Sequence, residues 1–146
     1  MAAAPKLTIR AAAYGDAAAV AGLLGELGYP CTPAEAAARL ARLGGPNDPV
    51  FVATDADRVV GLVALHLSHM LHVDSTWSRI TAIVVPESHR RRGVGATLLA
   101  HAEQYCVAAG ALGVELTCRD HRTDAHRFYA RHGYAERRKR FFKALE

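Results

Sequence analysis

Three arginines and two glycines lie close together in the order Arg90-Arg91-Arg92-Gly93-Val94-Gly95. A β-branched stretch, Ile80 to Val85, precedes them, and a stretch with helical apolar spacing follows. A helix that begins at such a loop presents backbone N–H groups that have no partner within the helix. Glycines let this backbone approach an oxyanion closely, and arginines add positive charge. The segment therefore predicts a binding site for a phosphate or pyrophosphate group.

Two common nucleotide motifs do not fit this loop. The chain lacks the Gly-x-x-x-x-Gly-Lys-Ser/Thr pattern of nucleotide triphosphate sites. A dinucleotide fingerprint would need Gly-x-Gly-x-x-Gly near the first strand, whereas this loop comes about two-thirds of the way along the chain. A basic turn that only connects a strand to a helix is the remaining alternative for the loop taken alone.

A second group of chemically capable residues comprises His66, His69, His72 and Asp74, on or just after a predicted strand. A histidine can accept a proton near neutral pH. The alternative is that each is a half-exposed spacer on an edge strand. The histidines are three residues apart, which in a strand sends successive side chains to opposite faces, so we do not expect a metal site.

Hydrophobic spacing and turn residues predict the elements that must position these groups. Strands are predicted at Leu7 to Arg10, Val50 to Thr54, Arg58 to Leu67, Arg79 to Val85 and Leu112 to Cys118, with one or two more between Tyr134 and Leu145. Helices are predicted after Asp16 up to Gly28, from Thr32 through Leu43, from Gly93 to Ala109, and from Thr123 or Asp124 to about His132. This order predicts a mixed α/β (α+β) fold and a single domain over residues 1–146.

The bulk properties narrow the class of protein. The chain has 146 residues, a net charge of +4 and 51% apolar residues, which suits one globular domain. Its three cysteines lack metal or disulfide spacing, and neither a signal peptide nor a membrane span is evident, so a cytoplasmic location is expected. The basic run Arg137 to Arg140 alternates across a predicted strand, which dilutes its charge, so no nucleic-acid partner is expected.

Two segments carry a resemblance to a known family. Val85 to Gly95 closely resembles the acetyl-coenzyme A motif of the GNAT N-acetyltransferase superfamily, and Asp124 to Tyr134 resembles its second signature, a helix that ends in a glycine-aromatic pair. The resemblance covers nearly the whole chain. It implies a GNAT-like mixed, mostly antiparallel sheet of six to seven strands with about four helices, splayed at the two central strands.

The resemblance also implies how acetyl-coenzyme A would be held. Its pyrophosphate would lie on the loop residues Arg90, Arg91, Arg92, Gly93, Val94 and Gly95, and its pantetheine arm would run along Ile83, Val84 and Val85. His126 is also assigned to the cofactor. Arg122 stands where relatives often carry Asn, so contact with the phosphates and simple solvation both remain open. No metal is expected.

The implied chemistry is direct attack of a neutral primary amine on the thioester. By motif position, Tyr129 would protonate the leaving thiolate, because a phenol keeps its proton at neutral pH; packing beside Phe128 is the alternative. Relatives often place a basic Glu where this chain has Thr81, which cannot do that work. The candidate substitutes are His66, His69, His72 and Asp74, of which His72 and Asp74 are preferred, and Glu115 is a further possibility.

The acceptor is predicted to be a small amine held near Tyr14, Tyr29, Trp77 and Asp74. A protein N-terminus or lysine is the alternative acceptor. A non-catalytic acetyl-coenzyme A sensor is the alternative function, because the strand Glu is missing. A homodimer is left open.

Overall fold

The computed structural model describes residues 6–118, 123–137 and 140–145, which fall into two compact units divided after Leu116. The first unit contains the strands β1 (Leu7–Ala11), β2 (Val50–Asp55), β3 (Arg58–His69), β4 (Thr76–Val84) and β5 (Ala111–Glu115). It also contains the helices α1 (Ala17–Leu27), α2 (Pro33–Arg42) and α3 (Val94–Ala108). The second unit contains α4 (Thr123–Arg131).

The five strands form one sheet in the order β1-β2-β3-β4-β5. The first four strands pair antiparallel, and β5 pairs parallel to β4. At the β2–β3 hairpin Ala56 and Asp57 have φ values of 49° and 67°, the left-handed pair that a two-residue type I′ turn requires. The predicted mixed, mostly antiparallel sheet is confirmed.

The predicted number of strands is wrong. Within the part of the chain that the structure describes, the sheet has five strands, and the stretch between Tyr134 and Leu145, where closing strands were predicted, contributes none. Phe141 and Phe142 are exposed there. Aromatic residues favour strands only where a partner strand and a buried face are present, so local propensity overstated the sheet. The strands predicted to splay at the centre are accordingly the last two of the five.

The pairing of β4 with β5 covers only part of β4. It runs from Thr76 opposite Ala111 to Arg79 opposite Glu115, and β4 then continues to Val84. The strand predicted to reach Cys118 ends at Glu115 instead. Among the described residues, therefore, the second half of β4 has no strand paired on its β5 side. The strands separate just beyond a buried hydrogen bond from Ser78 Oγ to the Gly113 carbonyl.

Helices α1 and α2 cover one face of the sheet. Their apolar side chains form a buried core with Val52, Leu62 and Val84. The helix predicted from Thr32 begins with a capping box, in which Glu35 N–H donates to Thr32 Oγ1 at 3.1 Å and Thr32 N–H donates to Glu35 Oε1 at 3.3 Å. These contacts fix where α2 begins above the sheet.

Asp16 has a different role from the predicted side-chain cap of α1. Its carboxylate accepts two hydrogen bonds from the Arg10 guanidinium, at 2.8 and 2.9 Å, and one from the Ala13 N–H at 2.7 Å. The bond from Arg10, with that from Ala13, holds the pKa of Asp16 below its ordinary value. The carboxylate therefore ties β1 to the segment that leads into α1.

Helix α3 lies on the opposite face of the sheet, close to β3. Leu98 and Val94 of α3 are buried, and a Cβ atom placed on Gly61 would lie 2.9 Å from Leu98 Cδ1 and 3.0 Å from Val94 Cγ1. Only glycine permits this approach without a shift of its neighbours. Gly61 therefore sets the distance between the sheet and the first turn of α3.

We predict that Gly61→Ala lowers the free energy of unfolding by about 1–3 kcal/mol, because the added methyl group overpacks a full core. Denaturant unfolding measures the difference. The matched control is Gly22→Ala on the exposed side of α1, where an added Cβ meets nothing within 4 Å and alanine favours the helix. Equal stability of the two variants would show that α3 does not depend on this close contact.

Among the described residues, no helix has both the length and the apolar character to cross a membrane.

Candidate active site

The arginine–glycine loop connects β4 to α3 through two left-handed residues. After β4 ends, a short 3-10 turn covers Glu87–His89, and α3 begins at Val94. Arg91 has φ +64° and Gly93 has φ +81°. Few residue types tolerate such values, and glycine tolerates them best. The two residues turn the backbone from the end of the strand directly into the helix.

The first turn of α3 has unpaired backbone donors. The first helical bond runs from Thr97 N–H to the Gly93 carbonyl at 3.0 Å, so the N–H groups of Gly93 to Ala96 have no partner within the helix. Within the part of the chain that the structure describes, no side chain caps this end. The positive end of the helix dipole adds to these donors. The geometry fits the phosphate site that the sequence predicts.

The three arginines of this loop do not have equivalent positions. Arg90 donates from Nε to the Val85 carbonyl at 3.2 Å, which ties the loop back to the end of β4. Arg91 and Arg92 are exposed beside the helix N-terminus. Arg90 therefore helps to shape the loop, and its neighbours supply positive charge at the surface where an anion would lie.

A cavity of about 340 Å³ lies between α1, α2 and the sheet. Its lining is apolar except for Tyr29, Arg39 and Thr81. The apolar lining consists of Val20, Leu24, Leu27, Ala36, Leu40, Leu43, Val50, Leu62, Ala64 and Ala82. The volume is at the lower end of the range for small-molecule sites, and apolar walls with a few polar groups are typical of such sites.

The structure places Tyr29, but not the other three predicted acceptor residues, in this lining. Tyr14 and Asp74 are exposed, and Trp77 lies near the start of β4, before the lining residues of that strand. His72 and Asp74 both lie in the exposed connection between β3 and β4. The sequence prediction missed Arg39, whose position next to Leu40 on an amphipathic helix was the available signal.

Thr81 is the extra residue of a β-bulge. Ala64 of β3 pairs with Ala82 and Leu65 pairs with Ile80, so Thr81 has no opposite residue. Its hydroxyl donates to the Ala64 carbonyl at 3.3 Å. The bulge lies where β4 borders the cavity. The Thr81 side chain has no group that could accept a proton from an amine, as the sequence also indicated.

Asp48 and His66 form a close pair near the same place. Asp48 Oδ1 lies 2.6 Å from His66 Nδ1. Both side chains are partly exposed. Among the described residues, no group of three or more histidine, cysteine or acidic side chains has the geometry to hold a metal ion.

The second unit places Tyr129 within an aromatic group. Its ring lies 5.4 Å from that of Phe128 and 6.0 Å from that of Tyr134, between centroids. The Tyr134 N–H donates to the Tyr129 carbonyl at 3.0 Å, just after Gly133 with φ +88°. His126 lies on the same helix, α4. Arg122, the other residue predicted to contact the cofactor, lies outside the described residues.

Comparison with known proteins gives a consistent result. The family model for acetyltransferases of the GNAT family matches residues 19–134. The chain is 40% identical over 105 residues to the aminoalkylphosphonate N-acetyltransferase of Salmonella typhimurium. The aligned region covers 72% of this chain and 68% of that protein.

Solved structures show the same fold. A protein from Agrobacterium tumefaciens, named only provisionally as an acetyltransferase, superimposes with a TM-score of 0.85 at 26% identity over 94% of this chain and 99% of that one. A transcriptional regulator from Bacillus halodurans superimposes with a TM-score of 0.86 at 21% identity over 95% of this chain and 99% of that one. At that identity the second likeness concerns the fold alone.

Proposed function

The chain belongs to the acetyltransferase (GNAT) family, and from this premise we propose that it transfers the acetyl group of acetyl-coenzyme A directly to the primary amine of a small molecule. The observation that carries the proposal is the open N-terminus of α3, which follows, after the connection 85–93, the half of β4 that has no strand paired on its β5 side among the described residues. The N–H groups at the start of α3 suit a pyrophosphate, and the free side of β4 suits a chain that contains amides.

The loop residues have distinct roles in holding acetyl-coenzyme A. The pyrophosphate accepts hydrogen bonds from the backbone N–H groups between Arg91 and Gly95, where the helix dipole favours an anion. Arg91 and Arg92 add charge. The pantetheine amides pair with the backbone of β4 from Ile83 to Val85, because no strand occupies that side in the described residues.

The reaction needs one bond formed and one broken. The amine nitrogen attacks the thioester carbonyl carbon, and a backbone N–H near Val85 stabilises the oxyanion that develops. When the C–S bond breaks, the thiolate takes a proton from the hydroxyl of Tyr129. The attacking nitrogen loses one proton as the amide forms, and this proton restores the Tyr129 hydroxyl through solvent, so the products are an N-acetyl amide and free coenzyme A.

The cavity indicates the class of acceptor. Apolar walls accommodate a short carbon chain, and Arg39 is the only charged residue among the described residues that line them. We therefore propose an amine that carries an anionic group, a carboxylate or phosphonate, at the far end of its chain. The likeness to an enzyme named for aminoalkylphosphonates supports this class.

The test is thiol release from acetyl-coenzyme A with three amines of equal chain length, bearing a phosphonate, a carboxylate or an uncharged amide. We expect the anionic amines to react with the lower KM. Arg39→Gln should raise their KM about tenfold or more and leave the KM for the amide unchanged, because a charged hydrogen bond contributes about 1.5–3 kcal/mol.

The matched control is Arg42→Gln, an exposed arginine of α2 that does not line the cavity. It should leave all three KM values unchanged. Equal KM values for the three amines in the unaltered protein would contradict the anionic acceptor. Measurable acetyl-coenzyme A binding with no thiol release for any small amine or peptide would favour the non-catalytic sensor.

We also propose a cytoplasmic location, which the three free cysteines support, since thiols persist in reducing compartments. The homodimer stays a prediction.

A further inference from the structure

We infer that His66, oriented by Asp48, accepts the proton that the acceptor amine must lose before it attacks the thioester. The inference rests on the proposed N-acetyl transfer. It assigns the base that Thr81 cannot supply. His72 and Asp74, the preferred candidates from the sequence, lie in the exposed connection between β3 and β4, whereas His66 lies on β3, on the face whose residues Leu62 and Ala64 line the cavity.

The position of His66 follows from the alternation of β3. Leu62, Ala64 and His66 share one face of the strand, since side chains two residues apart point the same way. Along this face Leu62 is buried, Ala64 lines the cavity and His66 is exposed. One pleat repeat, about 6.7 Å, separates Ala64 from His66. His66 is therefore exposed on the strand face that borders the cavity, one pleat repeat beyond the lining residue Ala64.

Asp48 fixes the histidine ring. Its Oδ1 atom lies 2.6 Å from Nδ1, so Nδ1 carries a hydrogen and donates it to the carboxylate. Nε2 is then the ring nitrogen that can accept a proton. Asp48 itself is held by the chain around it, because Leu65 and Leu67 donate backbone hydrogen bonds to the Pro49 and Asn47 carbonyls.

The remaining charges near His66 come from β4 and β5. Arg79 is the residue directly opposite His66 on β4. Arg79 Nε lies 4.0 Å from Glu115 Oε1 on β5, so its charge is partly balanced. Asp48 is thus the acidic group that directly contacts the imidazole, and it stabilises the imidazolium that forms when the proton arrives.

The proton balance is complete without a further reactant. The ammonium group of the acceptor gives one proton to Nε2 of His66, directly or through one water molecule, and becomes the neutral amine. Its nitrogen forms the C–N bond as the C–S bond breaks, and the second proton that the nitrogen then loses replaces, through solvent, the one that Tyr129 gives to the thiolate. The imidazolium then returns its proton to solvent at the exposed edge of β3.

The experiment measures kcat and kcat/KM against pH, together with acetyl-coenzyme A binding, for the intact chain. We expect His66→Gln to lower kcat about 100-fold and to remove the acid limb of the kcat/KM profile, while acetyl-coenzyme A affinity is unchanged. His66→Ala should lose the same activity and regain part of it with added imidazole, because the site is open to solvent. Asp48→Asn should lower kcat about tenfold. Asp57→Asn, at an exposed turn, is its matched control and should not change kcat.

Three results would overturn the assignment: an acid limb that persists in His66→Gln, loss of that limb in His72→Gln instead, or no response of His66→Ala to imidazole. Failure of the proposed function is distinguishable, because the unaltered protein would then release no thiol with any amine.

Discussion

Tyr129→Phe is expected to lower kcat by about 10²- to 10⁴-fold with little change in the KM for acetyl-coenzyme A. The substitution removes one hydroxyl and keeps the ring, so contacts with Phe128 and Tyr134 are preserved. The leaving thiolate would then have to take its proton from water, and a positioned acid contributes a factor of this size. Steady-state kinetics with the best amine, together with calorimetric titration of acetyl-coenzyme A, measures both quantities.

Tyr105→Phe is the matched control for this prediction. The Tyr105 hydroxyl donates to the Pro46 carbonyl at 2.6 Å, so its removal should cost about 1 kcal/mol of stability and leave kcat unchanged. If Tyr129→Phe retains full kcat, then Tyr129 packs in the aromatic group and does not act as the acid.

Gly93→Val is expected to raise the Kd for acetyl-coenzyme A about 10- to 100-fold. Gly93 has φ +81°, a conformation in which a β-branched residue is strongly disfavoured. Relief of that strain, about 1–3 kcal/mol, reorients the turn and with it the N–H groups of Val94 to Ala96 that would bind the pyrophosphate. Calorimetric titration with acetyl-coenzyme A and with coenzyme A measures the change.

Gly110→Val is the control that separates an effect on acetyl-coenzyme A binding from an effect of backbone strain alone. Gly110 follows the other end of α3 and has φ +78°, so the same substitution introduces similar backbone strain far along the helix. Both variants should lose stability, but only Gly93→Val should lose affinity. A similar fall in affinity for both would show that the loop binds acetyl-coenzyme A no more closely than the rest of α3 does.

The sequence by itself identified the parts of the protein whose structure is set by neighbouring residues. Left-handed turns favour glycine, and a helix start exposes its own donors, so Gly93 and the first turn of α3 were predictable from local order. The capping box of Thr32 and Glu35 was predictable for the same reason. The two segments Val85 to Gly95 and Asp124 to Tyr134 were also sufficient to indicate the family.

Only the tertiary structure decided which distant residues meet. Asp48 and His66 are 18 residues apart and come together because the segment before β2 runs beside β3. Arg39 enters the cavity lining because α2 packs across the sheet. The prediction of C-terminal strands was wrong for the same physical reason. A strand forms only where a partner strand pairs with it, and local propensity carries no information about that partner. Sequence therefore indicated the arginine–glycine loop at the start of α3, and packing determined which residues line the cavity.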